Sequence, residues 1–350
     1  MGASSSSATA APDREPRAVS GALVPTVDEV APAVPAREPE PTGVEVYRHR
    51  MTTEGYVGFE DSQTWYRVDG ELGADGPAPL VVLHGGPGAT HDYLTPLTDL
   101  ARGGRAVVMY DQIGNGRSTH HPDRGADYWT VDLFVRELAS LLDHLGIADR
   151  YHVLGQSWGG FLAQEHAITQ PRGLRSLVLS NTALSFPDFV DEANRLRLDL
   201  PPGVNDTLLR HETAGSTDSA EYVEACQVFY DRHVCRLDPW PPEVVLAFAK
   251  MDEDPTVYRT MNGPSEFHVI GSIKDWTSRG RLDRVQVPTL VISGEFDEAT
   301  PALQLPLVEA IADAGNEVEA VVMDGCSHLP MWEQPEAYLG HVGDFLSRRD

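Results

Sequence analysis

Hydrophobic and polar positions alternate near the start of the chain and then give way to short, wholly apolar runs. Residues 44–48 and 63–68 alternate, which is typical of half-buried antiparallel strands. The later runs are typical of strands buried on both faces of a parallel sheet. These runs span residues 80–83, 106–110, 151–154, 177–179, 290–292 and 320–323.

Helical patterns separate these runs. The strongest lies between residues 130 and 145, and Gly146 ends it. Its apolar positions recur at helical spacing: Leu133, Phe134, Leu138, Leu141 and Leu142. Alternating strands and helices with right-handed crossovers predict an α/β fold, with a mostly parallel central sheet flanked by helices.

The chain divides into three kinds of sequence. Residues 1–43 are rich in Pro, Ala and Ser and cannot bury enough apolar surface to offset ordering entropy, so we expect a disordered tail. Residues 44–180 and 287–350 carry the strand and helix alternation of a single core. Residues 181–286 lack apolar strand runs but contain helical patterns around residues 219–229 and 242–251, and this predicts an inserted helical lid.

Charge and composition argue against two classes of binding partner, nucleic acids and membranes. The formal net charge of −26 opposes binding to a nucleic acid backbone, and no apolar run is long enough to span a membrane. The three cysteines have no metal-site or disulfide-framework spacing, and no signal-peptide pattern opens the chain. We therefore expect a cytoplasmic protein without nucleic acid or membrane partners; the sequence leaves the oligomeric state open.

A nucleophile motif follows the run at 151–154. Gly155, Ser157 and Gly159 match G-x-S-x-G between a predicted strand and a predicted helix that begins near Phe161. Such a tight turn requires small residues around the serine and exposes its hydroxyl near a helix N-terminus. An isolated motif of this kind is often an inert turn, but here three further loops accompany it.

The first loop, His84-Gly85-Gly86-Pro87-Gly88, follows the run at 80–83. A glycine loop at this place can direct backbone N–H groups at a developing oxyanion. We expect the amides of Gly86 and Trp158 to be those donors.

The other two loops supply an acid and a base. Asp297 follows the run at 290–292, where a carboxylate can reach a catalytic histidine, and we prefer it to Glu295 and Glu298. His328 follows the last predicted strand. The order Ser157, Asp297, His328 is the order that a hydrolase of this kind requires.

Other chemistries find less support in the sequence. Cys326 has no elbow around it and is expected to be a buried, inert thiol. No H-E-x-x-H motif or Cys/His cluster indicates a metal, and the glycines near Asn115 lack a full dinucleotide fingerprint. We therefore expect no metal and no cofactor.

Taken together, these motifs resemble the proline iminopeptidase family of α/β-hydrolases, including its tricorn-interacting aminopeptidase and amino-acid amidase branch. The resemblance runs from about residue 45 to the C-terminus and implies the α/β-hydrolase fold. The motifs that carry it lie at residues 84–88, 111–118, 155–160, 294–297 and 326–329.

The resemblance also implies how substrate binds. The segment Met261-Asn262-Gly263-Pro264-Ser265-Glu266-Phe267 is similar to a lid segment whose glutamate binds the free α-amino group, a role that falls on Glu266. A second lid carboxylate is implied, and we choose Glu224 over Asp231. The expected activity is release of an N-terminal residue, proline or a small apolar one, from short peptides or amides with a free amine. An amino-acid amidase, an esterase or lactonase, and a non-enzymatic ligand receptor remain as alternatives.

Overall fold

The structure, a computed structural model, describes residues 51–73 and 75–350. The expected tail (residues 1–43) and the expected strand at 44–48 lie outside the described residues. Across the described ranges, none of the helices combines the length and apolar composition that a bilayer crossing requires.

An eight-stranded sheet forms the centre of the fold, in the order β1-β2-β4-β3-β5-β6-β7-β8. β1, β2 and β4 pair antiparallel, and the remaining neighbours pair parallel. The predicted mostly parallel sheet is therefore confirmed. The strands are β1 (Thr52–Phe59), β2 (Ser62–Asp69), β3 (Leu80–Leu83), β4 (Val107–Tyr110), β5 (Tyr151–Gln156), β6 (Leu174–Ser180), β7 (Thr289–Gly294) and β8 (Val318–Met323).

Alternate residues of each central strand belong to two separate apolar clusters. Val81 packs with two core helices on one face, whereas Leu80 and Val82 pack with the 3-10 segment His91–Gly103 and with a third core helix on the other. The core helices are α1 (Val131–His144), α2 (Trp158–Ile168), α8 (Pro301–Asp313), α9 (Pro330–Glu333) and α10 (Pro335–Ser347). Helices therefore cover both faces, as predicted.

β8 departs from its sequence prediction. Its apolar run predicted a strand buried on both faces, but only Met323 at its end is buried and Val322 is 48% exposed. β8 is the last strand of the sheet, so it has one neighbour, β7, and less cover than an inner strand. An apolar run alone does not distinguish an edge strand from an inner one.

The helical insert, residues 181–288, connects β6 to β7. It contains α3 (Phe186–Leu196), α4 (Val204–Ala214), α5 (Ala220–His233), α6 (Pro242–Glu253) and α7 (Thr256–Met261). Tyr222, Phe229 and Phe267 belong to a third apolar cluster within it. The predicted helical patterns near residues 219–229 and 242–251 correspond to α5 and α6.

Candidate active site

Ser157 lies between β5 and α2 with φ +57° and ψ −125°, a backbone conformation that costs energy for a residue with a side chain. The surrounding glycines allow the turn. A Cβ at Gly155 would lie 2.0 Å from the Gly159 carbonyl oxygen, and a Cβ at Gly159 would lie 2.1 Å from the Leu83 carbonyl oxygen. α2 begins at Trp158, earlier than the predicted start near Phe161, so the amide next to Ser157 is at a helix N-terminus.

Asp297 and His328 meet at the carboxyl ends of β7 and β8. His328 Nδ1 donates to Asp297 Oδ1 over 2.6 Å, with both side chains buried. Asp297 also accepts hydrogen bonds from Asn181 Nδ2 at 2.6 Å and from the Ala299 amide at 2.9 Å. These donors fix the carboxylate, and the carboxylate fixes the tautomer and orientation of the imidazole.

The two other acidic residues considered for this position have different surroundings. Glu295 is exposed and accepts a hydrogen bond from the Gly325 amide at 2.9 Å. Glu298 is 1% exposed, and its Oε1 lies 3.6 Å from His328 Nε2, whereas Asp297 is bonded to Nδ1. Glu298 Oε2 has no hydrogen-bond partner among the described residues.

Glu266, in the helical insert, lines the same cavity as Ser157, His328 and Glu298. Its Oε1 accepts a hydrogen bond from Tyr258 Oη at 2.6 Å. Glu224 does not reach this cavity, since it lies on the exposed face of α5. The alternative on that helix, Asp231, is also exposed. The second carboxylate beside Glu266 is therefore Glu298, which lies in the loop after β7 rather than in the insert.

The carboxylates change the proton affinity of the whole site. Burial raises the pKa of Glu266, and burial together with repulsion from Glu266 raises the pKa of Glu298. Burial by itself lowers the pKa of His328, but the negative charges of Asp297, Glu298 and Glu266 outweigh burial and raise it to about 9. The site therefore favours additional positive charge.

Gly86 and Trp158, the expected oxyanion donors, line the same small space as Ser157. The Gly85–Gly86 loop is held by Tyr93, whose hydroxyl accepts from the Gly85 amide at 2.7 Å and donates to Gln156 Oε1 at 2.5 Å. Gln156 Nε2 in turn donates to the His328 carbonyl at 3.1 Å. One buried chain of hydrogen bonds thus connects the glycine loop, the elbow and the histidine loop.

A second set of hydrogen bonds connects α5 to the two loops that carry Asp297 and His328. The His233 carbonyl accepts from the amides of both Glu298 and His328 at 3.2 Å, and His233 Nδ1 donates to the Phe296 carbonyl at 2.9 Å. The C-terminal end of α5 thereby fixes the two loops that carry the carboxylates and the imidazole.

The cavity that contains Ser157 has a volume of about 50 Å³. A smaller space of about 10 Å³ continues from Ser157 and is walled by aromatic rings. No lysine or arginine occurs among the described residues that line either space. The apolar side chains of the larger cavity are Ala89, Val234, Ala247, Phe248, Met251 and Leu329.

This arrangement contains the parts needed for acyl transfer. It has a strained, accessible serine, a histidine oriented by a carboxylate, and a helix N-terminus beside the serine. It adds two buried carboxylates, Glu266 and Glu298, with no lysine or arginine beside them among the described residues that line the cavity. The arrangement is therefore suited to a carbonyl substrate that carries a positive charge close to the reacting carbon.

Sequence reasoning missed several residues that build the site. Glu298 is considered only as an alternative to Asp297, because its position next to Asp297 in a loop does not predict the direction of its side chain. Asn181 follows β6 at the same sheet edge and was detectable from its strand-end position. Tyr93 had no sequence signal, because its role depends on where the 3-10 segment packs.

Known proteins have this fold and are similar in sequence to most of this chain. A family model described as the alpha/beta hydrolase fold matches residues 78–335. A protein named proline iminopeptidase from Thermoplasma volcanium is 37% identical over 295 residues, which cover 84% of this chain and 97% of the relative.

Two solved structures extend the comparison. The crystal structure of VinJ is 49% identical with a TM-score of 0.82, covering 85% of this chain and 99% of VinJ. The proline iminopeptidase of Mycobacterium smegmatis is 44% identical with a TM-score of 0.77, covering 85% of this chain and 98% of that structure.

Proposed function

The chain belongs to the proline iminopeptidase family of α/β hydrolases, and from this premise we propose that it is a serine aminopeptidase. It releases an N-terminal residue, proline or another small or apolar residue, from short peptides through an acyl-enzyme. The observation that carries the proposal is the cavity that brings Ser157 and His328 together with the buried carboxylates of Glu266 and Glu298.

The reaction is acyl transfer. His328 takes the proton of Ser157 Oγ, the oxygen attacks the carbonyl carbon of the first residue, and the departing amine receives the proton from His328. Water then attacks the ester by the same route and releases the free amino acid. Asp297 keeps Nδ1 of His328 protonated, so that Nε2 is the atom that exchanges protons with Ser157 and the leaving group.

The backbone amides of Gly86 and Trp158 stabilise the oxyanion of each tetrahedral intermediate. The Trp158 amide is well suited because it belongs to the first turn of α2. One such donor contributes roughly 10²–10³ in rate in other serine hydrolases. Tyr93 supports the second donor by holding the adjoining Gly85 amide.

Glu266 and Glu298 bind the protonated α-amine of the substrate. An α-amine has a pKa of about 8 and is largely cationic at neutral pH, so it pairs with these carboxylates. Its charge also offsets the carboxylates that raise the pKa of His328, and this favours the neutral imidazole that catalysis needs. Substrate binding and activation of the base are thereby linked.

The same pair makes the enzyme an exopeptidase. An internal peptide bond or an N-acylated residue brings no cation, and it would leave desolvated carboxylates unpaired. The small aromatic space beside Ser157, bordered by Phe161, Phe186 and Phe189, suits a small or ring-shaped apolar first residue.

The enzymatic alternatives share the acyl-transfer chemistry, and the ligand receptor does not. An amino-acid amidase needs the same amine anchor and differs only in its leaving group. An esterase or lactonase with a neutral acyl group would gain nothing from the two buried carboxylates, and a ligand receptor would not need the Ser157–His328–Asp297 set.

We also propose a cytoplasmic location, with short peptides or amides as the binding partners. Cys226, Cys235 and Cys326 are buried free thiols, which fits a reducing compartment.

Hydrolysis of a panel of substrates tests the proposal. The panel contains p-nitroanilides of proline, alanine and leucine with free and acetylated amines, and p-nitrophenyl acetate. We expect turnover of the free-amine compounds, with proline or alanine preferred, and little turnover of the acetylated ones. Equal turnover of acetylated compounds, or a preference for the simple ester, would instead place the protein among esterases.

A further inference from the structure

A groove in the helical insert adjoins the cavity that contains Ser157. It lies among α5, α6 and α7 and has a volume of about 780 Å³, compared with about 50 Å³ for the cavity. Phe248 and Met251 line both spaces, and Tyr258, which holds Glu266, lines the groove. The groove is therefore the large space next to the proposed amine site.

Much of the groove wall is formed by apolar side chains, and some of these are exposed. Val223 on α5 is 58% exposed and Val245 on α6 is 51% exposed, and both line it. Exposed apolar side chains that occur singly are common, but a groove lined by several of them indicates a binding surface. The aromatic residues of the walls are Tyr222, Tyr230, Trp240, Phe248 and Tyr258.

The charged groups of the groove are sparse and mostly negative. Asp218 and Asp252 line it, and the one lining arginine, Arg259, forms an ion pair with Asp218 at 2.5 Å. A substrate carboxylate placed in this groove would lie near Asp218, Asp252 and apolar side chains. Arg259, the lining cation that could bind it, is already paired with Asp218. The groove therefore disfavours the free C-terminal carboxylate of a di- or tripeptide.

We infer that the groove holds the part of the substrate that follows the scissile amide, and that it selects an uncharged, apolar chain. The inference rests on the proposed function, because it needs the first residue to lie between Glu266 and Ser157. The cavity and the small space beside it are far smaller than the groove. The rest of a substrate must extend into an adjoining space, and the groove shares walls with the cavity.

The test uses proline amides of n-alkylamines from ethyl to octyl, together with prolyl-leucine as its free acid. Release of proline is measured by chromatography with mass detection. We expect kcat/KM for the octyl amide to exceed that for the ethyl amide by at least about tenfold, since each fully buried methylene contributes roughly fourfold. We expect prolyl-leucine to be the poorer substrate.

Two variants on one helix provide the matched comparison. Val245→Asp places a charge on the groove wall, whereas Leu246→Asp places it at the next position, which is 43% exposed and does not line the groove. We expect Val245→Asp to lower the octyl-to-ethyl ratio by at least about threefold and Leu246→Asp to keep the wild-type ratio. Val223→Asp on the opposite wall repeats the test independently of α6.

An octyl-to-ethyl ratio near one in the wild type, or equal ratios in the Val245 and Leu246 variants, would overturn the inference while proline release continues. Failure to release proline from every amide and from proline p-nitroanilide would overturn the proposed function itself.

Discussion

Buried carboxylates occur in two regions of this protein, and they have different surroundings. Glu137 on α1 accepts hydrogen bonds from Thr64 Oγ1 at 2.5 Å and from the Ile113 amide at 2.7 Å, inside the core. Glu298 faces His328 and Glu266 across a cavity. Burial raises the pKa in both cases, to about 8 for Glu137. A raised pKa alone therefore does not identify a functional carboxylate; what the group faces does.

The difference lies in what could neutralise each charge. Glu137 is surrounded by protein, so protonation is the simple way to relieve its burial. Glu266 and Glu298 line a space that a ligand can enter, and a cationic amine can relieve both of them there. The following substitutions separate the two regions, from the largest expected effect to the smallest.

Ser157→Ala removes the nucleophile without changing either carboxylate region. We expect kcat/KM on proline p-nitroanilide to fall by roughly 10⁴-fold or more, because the acyl-enzyme cannot form. Circular dichroism and thermal unfolding are expected to match the wild type. Loss of labelling by a fluorophosphonate gives a second readout, and substantial residual turnover would remove Ser157 from its role.

Glu298→Gln and Glu266→Gln remove one charge each from the cavity. We expect kcat/KM on free-amine substrates to fall by roughly 30-fold to 10³-fold, as when one partner of a buried charge pair is lost. Glu137→Gln is the matched control, since it makes the same change at a buried carboxylate outside the cavity, and its kcat/KM is expected to stay within about twofold. Equal losses in all three variants would mean that the effect is structural.

Tyr93→Phe removes the hydroxyl that joins the glycine loop to Gln156 but keeps the ring. We expect kcat to fall by roughly tenfold, as for the loss of one or two hydrogen bonds, with KM nearly unchanged. A parallel rise in KM would show that Tyr93 supports the cavity as a whole rather than the position of the oxyanion loop.

The pH dependence of the activity distinguishes the role of His328 as base from the role of Glu298 in binding the substrate amine. With p-nitrophenyl acetate, which carries no cation, activity is expected to rise with pH toward about 9, because His328 must lose its proton to act as base. Glu298→Gln removes a negative charge that raises this pKa, so the rising limb should move to lower pH. Glu137→Gln should leave it in place, and an unmoved limb in Glu298→Gln would contradict the charge coupling.

Glu137→Gln is expected to change stability rather than activity. The unfolded chain releases this proton near the ordinary pKa of 4.5, whereas the folded chain holds it to about 8, so the ionisable group lowers stability as pH rises between these values. Glutamine cannot titrate. We expect the variant's Tm to exceed the wild-type Tm by about 2–4 °C near pH 8.5 and to be closer to it near pH 5, as measured by scanning calorimetry.

The sequence predicted the core of the site because its residues follow apolar strand runs. Ser157, Asp297 and His328 each lie in the segment that follows such a run, and the carboxyl ends of parallel strands meet at one sheet edge. Within a loop, no periodic sequence pattern predicts the direction in which a side chain points. The choice between Asp297 and Glu298 therefore came from preference, and their distinct roles emerged only from the geometry at His328.

The site residues of the helical insert were harder to predict than those of the core. One available signal in the insert was missed. α5 buries Tyr222, Cys226 and Phe229, which are spaced four and three residues apart and mark its inner face. Glu224 lies off that face, so the helical period already argued against its reaching a cavity. Glu266 lies outside a regular helix, and its place came from the resemblance rather than from periodicity.

Energetic coupling between the substrate amine and Glu298 tests the central claim most directly. We would measure kcat/KM for proline p-nitroanilide and its N-acetyl derivative with the wild type and with Glu298→Gln, which forms a double-mutant cycle. The account predicts that acetylation costs at least about tenfold more in the wild type than in the variant. Equal costs in the two proteins would show that the amine does not interact with Glu298, and the amine-anchoring role of this cavity would have to be abandoned.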